Sequence, residues 1–348
     1  MESFLLYGAN GYTGKLITAA ASQYDLNPVL AGRNKDSIKS LAEQFNFSHQ
    51  VFDLNNQQQL IKVLEKVPLV LHAAGPFRHT AKQMMDACLK TKTHYLDITG
   101  EIAVFEMAKR YDDQARKAGI MIIPGVGFDV VPTDCLALHL KNQLPDAIKL
   151  KIAFATLGGG LSHGTATTMM EGLGEGGAVR ENGKIIRKPL GHKGMSIDFG
   201  VKKIFVMTIP WGDVSTAYHT TGIPNIETYT GIPKRTYKLL KFQSLFNWVM
   251  RSPLFRKMVK TQIDKRPAGP SEEERLNSKS LVWGEVENEK GEKTSARLTT
   301  SDGYTFTAHS SLLVTKKVLN GNFKIGYQTP GSAYGPDLVL EVQGSKRG

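Results

Sequence analysis

Residues Gly8-Ala9-Asn10-Gly11-Tyr12-Thr13-Gly14 follow directly on the apolar run Phe4-Leu5-Leu6-Tyr7. A short apolar strand that breaks into glycines and then into an amphipathic segment commits the chain to open as a strand–turn–helix unit of a nucleotide-binding α/β fold. Glycine allows the tight turn and lets backbone N–H groups approach a pyrophosphate, which then lies at the positive end of the following helix. The spacing is G-x-x-G-x-x-G, so the middle glycine is displaced from the commoner G-x-G-x-x-G fingerprint. Gly8, Asn10, Gly11, Tyr12, Thr13 and Gly14 are the first candidate cofactor-binding residues.

The second apolar segment, Pro28-Val29-Leu30-Ala31-Gly32, ends in Arg33-Asn34. A fold selective for NAD places Asp or Glu here, about 20 residues beyond the glycines, to hold the ribose 2′-hydroxyl. This chain puts a guanidinium there and has no carboxylate until Asp36. A planar guanidinium grips a 2′-phosphate dianion with two bonds. Arg33 and Asn34 therefore predict NADP as cofactor, the alternative for Arg33 being a solvated loop charge.

Strand and helix then alternate with a regularity that predicts a parallel sheet. Helices are expected at 15–23, after a cap at Asp36 or Ser37, at 57–65, 80–90 and 103–117. Strands are expected at 50–52, 69–73, 94–97 and 120–123. Six strands with five intervening helices make a doubly wound, Rossmann-type nucleotide-binding sheet over residues 1–130. Ligands of such a sheet lie beyond the carboxyl ends of its strands. Those ends supply further cofactor candidates: Asp53 for the adenine amino group or as a helix cap, Ala74-Gly75-Pro76-Phe77, and Thr99-Gly100.

Beyond Pro124 the pattern changes. A helix from Pro132 to about Asn142, a strand at 150–154, a glycine-rich stretch from Gly158 to Gly177, and strand-like runs at 203–209 and 225–229 follow. A hairpin over Asn288-Glu289-Lys290-Gly291 joins the runs 281–287 and 294–300. This predicts a second, mixed α+β domain for substrate or dimerisation over 131–304, with residues 305–348 as a closing segment.

Composition sets limits. A hydrophobic share of 41% and a charged share of 22% suit a soluble globular chain of two domains. No run approaches the ~20 apolar residues that cross a bilayer. The first strand starts almost at the N-terminus, which leaves no room for a signal peptide and points to the cytoplasm. Cys88 and Cys135 are the only cysteines, as expected for reduced thiols, and the scattered histidines predict no metal site. The net charge of +12 is concentrated: between Lys234 and Arg266 ten basic residues face one acid, Asp264. A localised charge argues against a nucleic-acid partner. The same segment interleaves apolar residues, Trp248 among them, of which Phe242, Leu245, Phe246 and Val249, and again Phe255, Met258 and Val259, fall at helical spacing. Ser252-Pro253 is expected to break it into two helices. Such a pair suits peripheral contact with an anionic membrane, or packing of its apolar faces on the core or on a second subunit of a homodimer.

Taken together, the glycine heptad, Ala31-Gly32-Arg33, Ala73-Ala74-Gly75-Pro76-Phe77, Tyr95-Leu96-Asp97-Ile98-Thr99-Gly100-Glu101 and Gly125-Val126-Gly127-Phe128-Asp129-Val130-Val131-Pro132-Thr133-Asp134 resemble the saccharopine dehydrogenase-like oxidoreductases. The branch that includes the trans-acting enoyl reductases is the nearer likeness, and Gly326-Tyr327-Gln328-Thr329-Pro330-Gly331-Ser332-Ala333-Tyr334-Gly335 is similar to its closing motif. The resemblance implies an NADP-binding Rossmann domain, a mixed second domain and a chain that returns to the first domain at its end.

It implies hydride transfer between NADP(H) and a small molecule, here an apolar or lipid-linked, enoyl-type substrate. Asp129, Tyr218 and His163 are the candidates for proton transfer, although Asp129 also suits a turn or cap and His163 a core position. Two other readings remain: a non-catalytic NADP-binding scaffold or sensor at a lipid surface, and an amino-acid-directed, saccharopine-type enzyme. The latter needs a cationic cluster for several carboxylates, which no matching positions supply. A nucleophilic-cysteine class is excluded because Cys88 and Cys135 fall inside apolar helices.

Overall fold

A computed structural model describes residues 2–172, 174–240 and 247–348. The chain divides into two units, Met1–Val131 with Tyr304–Ala333, and Pro132–Gly303 with Tyr334–Gly348. The C-terminal return is thus split. Residues 305–333 join the first unit, but the last stretch, expected to stay there, belongs to the second, where Lys346–Arg347 pairs antiparallel with strand Lys293–Ser301.

The first unit alternates β1 (Glu2–Tyr7), α1 (Tyr12–Ala20), β2 (Leu26–Gly32), α2 (Lys35–Phe45), β3 (His49–Val51), α3 (Gln57–Leu64), β4 (Leu69–His72), α4 (Phe77–Thr91), β5 (His94–Asp97), α5 (Ile102–Arg110), α6 (Asp112–Ala118) and β6 (Met121–Ile123). The sheet runs β3-β2-β1-β4-β5-β6 and is entirely parallel. Its order turns back between β1 and β4, and a crevice at that point is where such sheets bind ligands. All four residues of β4 are buried, as a strand covered on both faces requires.

A seventh strand, Gly326–Tyr327, extends the sheet beyond β6. Two residues carry too little pattern to announce a strand. Several boundaries move. α1 gives way at Ala21 to a 3₁₀ turn. The third strand is His49–Val51, so Phe52 and Asp53 lie past its end. α4 starts at Phe77 rather than Thr80. The single helix expected at 103–117 is broken at Tyr111 into α5 and α6. α2 is capped by Asn34, whose side chain accepts from the Ser37 N–H at 3.0 Å, and not by Asp36 or Ser37.

The second unit holds α7 (Val131–Gln143), β7 (Lys149–Leu157), α8 (His163–Glu171), β8 (Gly177–Glu181), β9 (Lys184–Lys188), β10 (Gly194–Asp198), β11 (Lys203–Thr208), α9 (Asp213–Thr221), β12 (Asn225–Gly231), α10 (Lys234–Leu240), α11 (Asn247–Met250), α12 (Pro253–Asp264), β13 (Lys279–Glu287) and β14 (Lys293–Ser301). Its sheet runs β10-β11-β12-β7-β13-β14 and closes on Lys346–Arg347, with β8 and β9 branching from β12. Within this sheet only β12 and β7 pair in parallel among the described strands, so it is mixed, as expected.

α7 packs on β13 where Gly284 leaves room: a Cβ there would stand 2.6 Å from Leu140 Cδ1. The glycine-rich stretch is not all loop, because Ser162 caps α8 within it. Ser252 caps α12 with Pro253 at its first turn, which ends the preceding helix there. Phe242, Leu245 and Phe246, expected on an apolar helical face, lie outside the described residues.

Candidate cofactor site

The site in the first unit is built from what the glycines make room for. Gly8 has φ +90°, and a Cβ there would stand 2.7 Å from the backbone of Ala73 and Ala74. Its N–H and that of Ala9 donate to the Ala31 carbonyl at 2.8 and 3.1 Å, which ties the turn to the end of β2. A Cβ on Gly14 would lie 2.2 Å from the Gly8 carbonyl oxygen and 2.8 Å from Ala9 Cα. A Cβ on Gly32 would lie 2.9 Å from Asn10 Oδ1.

Gly11 is different: its φ is −70° and a Cβ would meet only the Gly8 carbonyl oxygen, at 3.3 Å. It is the N-cap of α1, no side chain caps that helix, and its first turn has no acidic residue. Peptide N–H groups and the positive helix end are thus left for an anion.

Beside this turn stands Arg33, exposed at the end of β2, with its guanidinium 3.9 Å from the Asp53 carboxylate. The charges of both act on Tyr7, whose hydroxyl donates to the Phe52 carbonyl at 3.3 Å. Burial first, and then the Asp53 charge, push that hydroxyl up to about 12. Asn34 is held by its capping bond.

The loop after β4 closes the other side. The Ala73 N–H donates to the Tyr7 carbonyl at 2.7 Å, and the Gly75–Pro76 bond is cis. Thr80 Oγ1 donates to the Ala74 carbonyl at 2.8 Å and lies 2.9 Å from His72 Nε2. With its proton committed to Ala74, Thr80 accepts from His72, which fixes the Nε2–H tautomer. His72 Nδ1 is buried without a hydrogen-bond partner, and burial lowers the ring to about 3.

Residues 4–123 match the family model of the saccharopine dehydrogenase NADP-binding domain. Residues 4–123 are thus similar to a saccharopine dehydrogenase-type NADP-binding domain. Relatives include a saccharopine dehydrogenase-like oxidoreductase of Rattus norvegicus, 28% identical over 202 residues, covering 51% of this chain and 47% of that protein. A trans-acting enoyl reductase of Mycobacterium ulcerans is 28% identical over 147 residues, covering 40% of this chain and 35% of its own. The chain spans about half the length, or less, of these curated relatives. Its fold is that of a saccharopine dehydrogenase (L-Glu forming) from Saccharomyces cerevisiae, with TM-score 0.67 at 12% identity and full coverage of both chains.

The residues of this NADP-binding domain fit a dinucleotide. Gly8 and Gly14 form a cradle that a Cβ would fill, the uncapped start of α1 suits the pyrophosphate, and Arg33 suits the 2′-phosphate. At the ends of β5 and β6 the domain also carries three carboxylates. Asp97 is fully buried and accepts from the Tyr95 hydroxyl at 2.6 Å and from the Thr99 and Gly125 N–H groups, both at 2.9 Å. Burial outweighs those bonds and pushes Asp97 up to about 6.

Thr99 Oγ1 accepts from the Glu101 N–H at 3.1 Å, and the Glu101 carboxylate accepts from the first two N–H groups of α4. Asp129 packs on Gly100, where a Cβ would lie 2.6 Å from its Oδ2. Burial pushes Asp129 up to about 7. Sequence reasoning assigned no role to His72, Thr80, Asp97 or Glu101. A lone buried acid at a strand end, and a helix start lacking a polar cap, were the available signals.

The other two proton-transfer candidates lie in the second unit. His163 Nε2 meets the Arg266 carbonyl at 2.6 Å, so that nitrogen carries its proton. The Tyr218 ring lies under the Arg180 guanidinium at 4.1 Å, and Arg180 itself donates to the Val214 and Gly183 carbonyls. Cys88 and Cys135 are buried, and burial raises both thiols. They are therefore protonated and unsuited to nucleophilic work. Among the described residues no cluster of His, Cys, Asp or Glu could hold a metal ion.

Proposed function

We propose that the chain is an NADP(H)-dependent oxidoreductase that reduces an apolar, lipid-linked substrate of the α,β-unsaturated acyl class. The observation that carries the reading is the Gly8–Gly14 cradle with exposed Arg33 beside it. The M. ulcerans relative, described as a trans-acting enoyl reductase, supports the substrate class. NADPH bound there would supply the hydride.

Reduction of a carbon–carbon double bond also needs a proton at the carbon next to the carbonyl. Asp129 is assigned to deliver it: burial raises its carboxyl to about 7, so a protonated fraction persists near neutral pH, and it follows β6 on the side where such sheets bind ligands. His163 and Tyr218 rank below it because the first spends its proton on the Arg266 carbonyl and the second carries Arg180. Thr80, itself bonded by His72, holds the Ala74 carbonyl, and Glu101 holds the Phe77 end of the same loop.

The test is oxidation of NADPH by a long-chain α,β-unsaturated acyl thioester, followed by absorbance. Turnover, with a loss of about 100-fold or more in kcat for Asp129→Asn at unchanged NADPH affinity, is the expected result. Binding of NADPH without turnover on any acyl chain length supports the scaffold reading instead. Turnover on saccharopine with NADP supports the amino-acid reading.

A further inference from the structure

The basic, apolar stretch of the second unit lies outside the residues assigned above to cofactor binding and proton transfer. α12 lies antiparallel to α8. Near the carboxyl end of α8, Arg251 donates to the Gly174 carbonyl at 2.9 and 2.6 Å, and Arg256 donates to the Glu171 carbonyl at 3.2 Å. Near its amino end, His163 holds the carbonyls of Arg266 and Ala268, at 2.6 and 2.9 Å.

α12 turns Phe255, Val259 and Ile263 inward, the last buried, at i, i+4 and i+8. That stripe uses up the packing face. Leu254 and Met258, at i and i+4 on the other side, are left 83% and 57% exposed. Trp248 on α11 is 76% exposed and Met169 on α8 is 57% exposed. By the helix pairing, Met169 and Met258 stand at the same level.

Lys257 and Lys265 are exposed on the same segment, and Lys260 pairs with Asp264 at 3.1 Å. Exposed aliphatic, sulfur and indole side chains among lysines, with one acid between Lys234 and Arg266, are the chemistry of a helix lying in a headgroup layer.

We infer that the outer face of the α8–α12 pair docks on an anionic lipid surface, with Trp248, Leu254, Met258 and Met169 entering the interface and the lysines meeting the headgroups. A second copy of this chain is the poorer occupant, because it would bring the same cations against themselves. A polyanion such as nucleic acid would leave Leu254 and Met258 without an apolar partner.

The test is co-flotation of the full chain with vesicles of phosphatidylcholine, alone or with a third phosphatidylglycerol. Binding at least about tenfold stronger to the anionic vesicles, weakening with salt, is expected. Leu254→Glu with Met258→Glu should lower it a further tenfold or more, while NADPH binding shows that the fold persists. Lys257→Gln with Lys265→Gln should lower it about fivefold per lysine. On vesicle addition tryptophan emission should shift to the blue, and Trp248→Phe should remove that shift.

The inference is overturned by no binding, by equal binding to neutral vesicles, or by binding indifferent to Leu254→Glu/Met258→Glu. It is also overturned if that double variant instead converts a dimer to a monomer in light scattering. None of these outcomes bears on the oxidoreductase reading, which the NADPH assay tests separately.

Discussion

The Glu101 carboxylate accepts the backbone N–H of Phe77 at 2.7 Å, across 24 positions of sequence, and that of Arg78 at 3.0 Å. It therefore does for α4 what a capping side chain does from the preceding residue, where Pro76 offers none. Its negative charge also meets the positive end of the helix, and Arg78 Nε stands 3.4 Å away.

Removing the carboxylate takes away the acceptor of two N–H groups at the start of α4, where Phe77 is buried and Arg78 exposed. Glu101→Ala should cost about 2 kcal/mol in urea unfolding, and Glu101→Gln about half of that, because the amide oxygen still accepts one bond. Equal stability of Glu101→Ala and the native chain contradicts the capping role.

The glycines of the heptad are not equivalent. Gly14→Ala drives a methyl to 2.2 Å from a backbone oxygen, whereas Gly11→Ala meets one contact at 3.3 Å at an ordinary φ. Gly14→Ala should lose NADPH binding and at least about 2 kcal/mol of stability. Gly11→Ala should stay within about 1 kcal/mol of the native chain. Denaturant midpoints and NADPH titration on the two variants decide it.

Two buried groups impose opposite pH slopes on stability. His72 is lowered from 6.5 to about 3, so its contribution is complete above pH 6.5 and is lost as pH falls toward 3. In His72→Leu, stability relative to the native chain should improve steadily over that fall.

Asp129 is raised from 3.8 to about 7, so its contribution is complete below pH 3.8 and is lost as pH rises through 7. In Asp129→Asn, the relative gain should appear on raising pH over that range. Urea unfolding in a series of buffers reads both slopes, and parallel profiles for native and variant chains contradict the assignments.

Legibility from sequence followed range. The heptad, Arg33 and the strand–helix alternation are local patterns, and the parallel sheet and the NADP preference could be read from them. The break at Tyr111, the Asn34 cap and the two-residue strand at Gly326 depend on boundaries or on pairing with segments far along the chain, which local periodicity does not encode. Glu101 falls inside the run Tyr95–Glu101, but its partners lie 23 and 24 positions away, so its capping role has no local signature. The spacing of 255, 258 and 259 suggested one apolar face. The structure instead divides it, sending Phe255 and Val259 inward and Met258 outward, because α8 covers only one side of α12.

The central claim is an NADP site organised by Arg33 beside the glycine turn, and the measurement that tests it most directly is the NADPH and NADH affinity of the native chain and of Arg33→Ala. The account predicts NADPH bound at least about tenfold more tightly than NADH by the native chain, with Arg33→Ala erasing the difference chiefly by weakening NADPH. Equal affinity for the two cofactors in the native chain, or a preference untouched by Arg33→Ala, would contradict it.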